Sequence, residues 1–297
     1  MIRSLIEKYK NYIHRRNNAF PRIYHKDGFL FFIDDVKKYP SSNDQLIINP
    51  KKINSTIKYI NKNNINRITI NNSYYDKVEN LEFLHQTTNI KQISILQEAL
   101  DLKPLEALSE LRWLSFTKGK MKVNLDFFPK LEYIGCDWRD VQNLNKCYNL
   151  KSLNIHFFKM PDLKELKELK KLEEISLYRT QIRNFEGIED HILLNKVDIY
   201  NASKLQTLTG LPNSSDNLKL IYIYNAKNLM DYEILKTMPH VTRLQLVSGG
   251  QIENLEMFQK MPNLEYLQLG MEITNGDKME FMNLIDARTK ANENAST

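Results

Sequence analysis

The pattern apolar-x-x-apolar-x-apolar occurs ten times in this chain of 297 residues, at intervals of 19 to 25 residues. The copies open at Ile65 (INRITI), Ile90 (IKQISI), Leu111 (LRWLSF), Leu131 (LEYIGC), Leu150 (LKSLNI), Leu172 (LEEISL), Leu194 (LNKVDI), Leu218 (LKLIYI), Val241 (VTRLQL) and Leu264 (LEYLQL). A mean step of about 22 residues, sustained over so many copies, marks an array of similar units. The last three positions of each phrase alternate as a strand does, so that pairs such as Leu114 and Phe116, or Leu153 and Ile155, share one face. A single short strand cannot bury that face. Stacking the next unit alongside pairs the strands in parallel and builds a continuous core, and the residues between phrases supply the crossovers that parallel neighbours need.

Those crossovers carry helix-like or irregular apolar spacing, as at Leu163, Leu166 and Leu169, or Leu205, Leu208 and Leu211. Phe128-Pro129, Met238-Pro239 and Met261-Pro262 each stand just before a phrase, where proline halts a crossover helix. Ten copies in register, with LEYLQL after MPN the cleanest, resemble a bacterial-type leucine-rich repeat protein over residues 65 to about 275. The resemblance implies an α/β solenoid. It would have a curved parallel sheet on the concave side, short helical or irregular crossovers on the convex side, and caps at both ends. The family commonly places Asn three residues after the last apolar position of the strand. Here that ninth position reads Ser73, Glu98, Gly119, Arg139, Phe158, Thr180, Ala202, Ala226, Gly249 and Glu272, so the turn after each strand departs from the family's pattern.

Three segments follow. Residues 1–64 form an N-terminal cap, with a helix expected over 2–14, a hairpin about Lys26-Asp27-Gly28 and a degenerate strand at 45–48. Residues 65–287 hold about ten repeats and a C-terminal cap, whose helix is expected over 278–287, and residues 288–297 form a polar tail expected to be disordered. The cap is basic, with 13 Lys and Arg against 5 Asp and Glu; the remainder carries 29 against 31. The net charge of +6 therefore belongs to the first 64 residues, where His14, Arg15 and Arg16 would meet phosphate or an acidic partner, or simply line a solvated helix.

No apolar run is long enough to span a membrane, and the first residues lack the apolar core of a secretory leader. Only two cysteines occur, Cys136 and Cys147, and Cys136 falls on an apolar strand position, so a reducing, cytoplasmic setting is expected. The six histidines are scattered without metal-ligand spacing, and phosphate-loop and nucleophile-elbow motifs are absent. No catalytic, metal-binding or cofactor-binding residue is assigned.

The informative positions are those that the phrase does not bury: two, three, five, seven and eight. Of these 50 residues nine are aromatic, twice the density of the rest of the chain, and both tryptophans are among them. Position seven reads Asp137, His156, Tyr178, Tyr200 and Tyr224 over five successive repeats, with Trp138, Phe157 and Arg179 beside it at position eight. Trp113, Tyr133 and Tyr222 extend the face. Tyr, Trp and Arg dominate binding hot spots because each joins large area to a polar handle. Rings on adjacent strands also stack simply to stabilise a sheet, so both readings stand at this point. The face mixes nine Lys and Arg with six acids and lacks the single-sign stripe that tracks a nucleic-acid backbone.

The expected function is therefore non-enzymatic clasping of a folded protein. Its sharper form is an immunity or inhibitor protein that covers a toxin or an enzyme. The alternatives are an effector or scaffold delivered into another cell to bind host proteins, and nucleic-acid binding through the basic N-terminal segment.

Overall fold

A computed structural model describes residues 23–33 and 44–275, apart from 88, 215, 248, 249 and 254. The helices expected over 2–14 and 278–287, and the tail after 287, lie outside the described residues. The chain opens with β1 (Ile23–Lys26) and β2 (Phe29–Phe32), an antiparallel hairpin closed by Asp27 and Gly28 at φ of 53° and 81°. Two successive left-handed residues are what a tight two-residue hairpin turn requires. Next come β3 (Gln45–Ile47), helix α1 (Ile53–Lys62), β4 (Arg67–Ile70), β5 (Gln92–Ile95) and β6 (Trp113–Phe116). They are followed by β7 (Val123–Asn124), β8 (Tyr133–Asp137), β9 (Val141–Gln142), β10 (Ser152–His156), β11 (Glu174–Tyr178), β12 (Lys196–Tyr200) and β13 (Leu220–Tyr224). The array ends with β14 (Arg243–Val247), β15 (Gln251–Ile252), α2 (Glu256–Gln259), β16 (Tyr266–Leu269) and β17 (Glu272–Ile273).

Thirteen strands form one sheet in the order β1-β2-β3-β4-β5-β6-β8-β10-β11-β12-β13-β14-β16, parallel from β3 onward. Parallel pairing thus begins at β3, within the segment that the sequence assigns to the cap, because Leu46 registers with Ile68 one repeat before the first complete phrase. Two small parallel pairs, β7 with β9 and β15 with β17, run beyond the strand ends. Every phrase strand is one of the thirteen. Of the thirty apolar phrase positions, all but Ile65 are buried.

The crossovers are mostly 3-10 turns rather than α-helices. Leu163, Leu166 and Leu169 are all fully buried, yet only Lys164–Leu166 is helical. Fourteen residues separate Asp137 from Ser152, and a tight 3-10 turn lets so short a link bring its leucines inward and still return to the next strand. In α1 the crossover does build a ten-residue helix, with Thr56, Ile57 and Ile60 on the buried stripe.

At position nine, where the family carries Asn, Phe158, Thr180, Ala202 and Ala226 point into the core and are at most 2% exposed. Thr180 alone of these offers a hydroxyl, which donates to the Phe158 carbonyl at 3.3 Å and accepts from the Ile182 N–H. The work of an asparagine ladder has moved to the residue just before the phrase. Asn149, Asn217 and Asn263 donate there to the carbonyls of Pro129, Ile192 and Pro239 in the preceding repeat, at 2.7 to 2.9 Å. In the same place Asn89 donates to Asn64 Oδ1, and Lys130 pairs with Glu110 at 2.6 Å.

Two predictions test this packing. Phe158→Ala empties a fully buried ring site and should lower the unfolding free energy by about 3 to 5 kcal/mol in urea titration. His191 is fully buried; its Nε2 lies 3.1 Å from the Leu166 carbonyl, which can only accept, so Nε2 carries the proton and Nδ1 is left without a partner. Burial, reinforced by the Lys170 charge, lowers its pKa from the ordinary 6.5. The unfolded chain then binds a proton that the folded chain refuses. Stability is full above about pH 6.5 and falls as pH drops towards the folded value. The urea midpoint of wild type should decline from about pH 7.5 to about pH 5.5, and that of His191→Gln should decline less.

Candidate functional site

Because side chains alternate along a strand, the pairing that buries positions four and six turns positions three, five and seven to the open face. The register is unbroken there: Asp137, His156, Tyr178, Tyr200, Tyr224 and Val247 are successive partners across β8, β10, β11, β12, β13 and β14. Four of these rings form one stack. His156 to Tyr178 is 4.8 Å between centroids, Tyr178 to Tyr200 is 4.8 Å and Tyr200 to Tyr224 is 4.7 Å, with interplanar angles of 16°, 4° and 4°. These spacings match the separation of neighbouring strands, about 4.7–4.9 Å, so backbone pairing itself sets the stack. His156 is exposed and the three tyrosines half-buried, and the Tyr224 hydroxyl donates to Gln245 Oε1 on the next strand.

A second stack stands at position three. Trp113 and Tyr133 lie face to face at 3.5 Å and 11°, and Trp113 is 38% exposed. Between the two stacks the floor at position five is small: Ser94, Ser115, Gly135, Asn154 and Ser176. A Cβ added at Gly135 would stand 2.9 Å from the Tyr133 hydroxyl oxygen and 3.2 Å from Ser115 Oγ. The glycine is what lets the Tyr133 ring lie down along the sheet.

Position eight divides into two backbone geometries. Phe157, Arg179, Asn201 and Asn225 are left-handed, with φ between 55° and 57°. Each donates its N–H to the carbonyl of the next repeat's position seven, at 2.7 to 2.9 Å. Asn225 Nδ2 also bonds Asn201 Oδ1 at 2.7 Å. Asparagine tolerates this conformation; a phenylalanine or an arginine is strained by it. The Phe157 ring lies under two guanidinium groups, Arg179 at 5.4 Å and Arg139 at 5.9 Å. Trp138 behaves differently. It begins a 3-10 turn, Trp138–Asp140, and its half-buried ring packs edge-on against Phe158 at 4.6 Å. Asp137 is held by Arg139 Nη2 at 3.3 Å rather than stacked with the rings.

The structure therefore brings His156, Phe157, Tyr178, Arg179, Tyr200 and Tyr224 into one patch, and sets Trp113 and Tyr133 across the small-residue floor. Trp138 leans towards the core, and the Tyr222 ring stands at position five, 5.9 Å from Lys196 Nζ. Two clusters of charge on this face are paired: Glu132 joins Arg112 at 2.7 Å and Lys151 at 3.4 Å, and Lys196 meets Asp198 at 3.4 Å. Sequence reasoning did not single out Arg139, Lys196 or Asp198 as site residues. A Lys and an Asp two apart on one strand face, the signal for the last two, was present at 196 and 198.

Among the described residues no group of three His, Cys, Asp or Glu could hold a metal ion. The Cys136 thiol is pushed well above its usual range by burial, then by nearby Asp137 and Asp140, and burial pushes Cys147 up to about 12. Both stay protonated and poorly nucleophilic. A groove of about 520 Å³ lies elsewhere, between α1 and residues 76–86, over Ile53, Ile57, Val78 and Phe83.

No protein-family model matches the chain, and no curated protein matches it in sequence. Solved structures do share its architecture. An internalin (inlF) from Listeria monocytogenes aligns at 19% identity and a TM-score of 0.47, over 71% of this chain and 56% of that one. TLR13 in its complex with ssRNA13 aligns at 14% and 0.50, over 75% and 34%. The mouse RP105/MD-1 complex gives 12% and 0.50, over 69% and 42%. The chain spans little more than half the internalin and less than half of the other two. At these identities the likeness is one of fold, that of a leucine-rich repeat solenoid.

The strain at position eight is measurable. Arg179→Asn places a residue suited to the left-handed conformation beside Asn201, and should raise the unfolding free energy by about 0.5 to 1 kcal/mol in urea titration.

Proposed function

We propose that this leucine-rich repeat solenoid is a non-enzymatic binding protein that clasps a folded partner protein on its concave aromatic face. The observation that carries the reading is the four-ring stack of His156, Tyr178, Tyr200 and Tyr224, held in register on four adjacent strands and open to solvent. Rings locked by their neighbours lose little further freedom on binding, while their outer edges face the open side of the sheet. Arg179 and Phe157 add to this, since both occupy a backbone conformation that asparagine would fill at lower strain. Backbone strain of this kind clusters at ligand-binding sites, which supports the reading.

A protein partner suits the face better than a nucleic acid. Of the matched structures, RP105 is in complex with MD-1 and TLR13 with ssRNA13, so the fold by itself does not choose. Charge does. Arg112, Lys151 and Lys196 are tied to Glu132 and Asp198, which leaves a mixed surface and no basic stripe to follow phosphates. The sharper form of the proposal is an inhibitor or immunity protein of the cytoplasm, whose aromatic patch occludes the working surface of a toxin or an enzyme.

The test compares wild type with Tyr178→Ala/Tyr200→Ala/Tyr224→Ala as bait in the native cell extract, with captured material identified and both proteins checked by circular dichroism. Wild type should retain a protein that the folded triple variant releases, each true anchor being worth about 2 kcal/mol or more. Equal capture by both, or recovery of nucleic acid alone, would refute the proposal.

A further inference from the structure

Three buried side-chain atoms among the described residues have no hydrogen-bond partner: Asp140 Oδ2, His191 Nδ1 and Asp198 Oδ1. His191 Nδ1 is the bare nitrogen of a neutral imidazole in the crossover before β12, and Asp140 belongs to the turn after β8. Asp198 alone of the three stands on a strand of the aromatic face. It occupies position five of β12, between Ser176 of β11 and Tyr222 of β13, and its side chain is 9% exposed. Lys196 Nζ reaches only its Oδ2, at 3.4 Å, while standing 5.9 Å from the Tyr222 ring centroid. Tyr200, a member of the ring stack, also hydrogen-bonds the carboxylate.

The local charge count is uneven. Glu174 registers directly with Lys196 on the neighbouring strand, so a second carboxylate charge acts on Asp198 beside the one ammonium. Burial raises the Asp198 pKa, and the Glu174 charge works in the same direction against the pull of Lys196. A carboxylate in that state gains from a second cation that also satisfies its empty acceptor.

We propose that Asp198 is the anchor for an arginine side chain of the partner protein, with Lys196 as the resident cation that the arginine displaces. The inference rests on the protein-binding reading and names the chemistry of one contact within it. A guanidinium carries parallel N–H donors in a planar fork, so it engages Oδ1 and Oδ2 together, which the point-like ammonium of Lys196 does not do. Its flat face meets the Tyr222 ring that Lys196 now faces, and the floor at Ser176 is small enough to admit it. Lys196, 27% exposed, swings out towards Glu174.

The experiment titrates N-acetyl-arginine amide into the full chain, with the neutral isostere N-acetyl-citrulline amide as control, and follows tyrosine ring signals by NMR. Wild type should show saturable shifts at Tyr200 and Tyr222, at least about tenfold weaker for citrulline. Asp198→Asn should abolish them. Lys196→Met should tighten arginine binding several-fold, whereas a merely structural ion pair would leave probe binding unmoved; circular dichroism checks both folds. Equal binding of citrulline, or unchanged arginine binding by folded Asp198→Asn, overturns the proposal. So does a Lys196→Met variant that binds no more tightly than wild type. The capture experiment with the tyrosine triple variant reads the ladder as a whole, so a captured protein alongside a probe that fails to bind sinks the anchor and leaves the protein-binding reading intact.

Discussion

Everything in this molecule depends on burial that no repeat can achieve alone. Each phrase offers two apolar side chains on a strand of four or five residues and a third just before it, and each is covered only when the repeats before and after lie alongside. Burying a leucine or isoleucine contributes about 1.5 to 3 kcal/mol, so the driving force is generous, but only between neighbours. The same requirement explains the ends. The β1–β2 hairpin and β3 cover the first repeat's flank, with Leu46 and Ile48 almost fully buried beneath them.

Stacking for the core dictates the face. Once positions four and six are buried in register, the alternation of the strand presents positions three, five and seven at the spacing of the strands themselves. Tyrosines placed at position seven of successive repeats are then obliged to stack at 4.7 to 4.8 Å. Sheet stabilisation and recognition are therefore not rivals here. Stacking covers the ring faces, holds the rings still, and sets a row of ring edges along the face.

The turns after the strands follow a different physics, and there the sequence was a poorer guide. The periodic phrase makes the strands, their register and the tyrosine ladder legible, because a period of about 22 residues is a statement about apolar burial. Position eight depends on backbone torsion. Asn201 and Asn225 suggest a left-handed residue, whereas nothing in Phe157 or Arg179 taken alone does so, and their conformation becomes clear only from the N–H groups they donate to the next repeat. At Trp138 the chain takes a 3-10 turn instead, which tips the indole onto Phe158. The family resemblance led to an absent asparagine at position nine. The compensating asparagines before the phrase, Asn149, Asn217 and Asn263, were visible in the sequence, but their meaning needed the carbonyls they reach in the preceding repeat.

By itself the sequence determined the solenoid, the thirteen-strand sheet's repeating strands, the identity of the core rows and the alignment of His156, Tyr178, Tyr200 and Tyr224 on one face. All of these derive from hydrophobic periodicity, which is written along the chain. Only the tertiary structure decided which face residues meet, that Trp138 leans inward, that left-handed turns carry Phe157 and Arg179, and that Asp198 is buried with one oxygen unsatisfied. Those depend on distances between side chains about 22 residues apart, where a single turn's torsion or one lysine's reach settles the outcome.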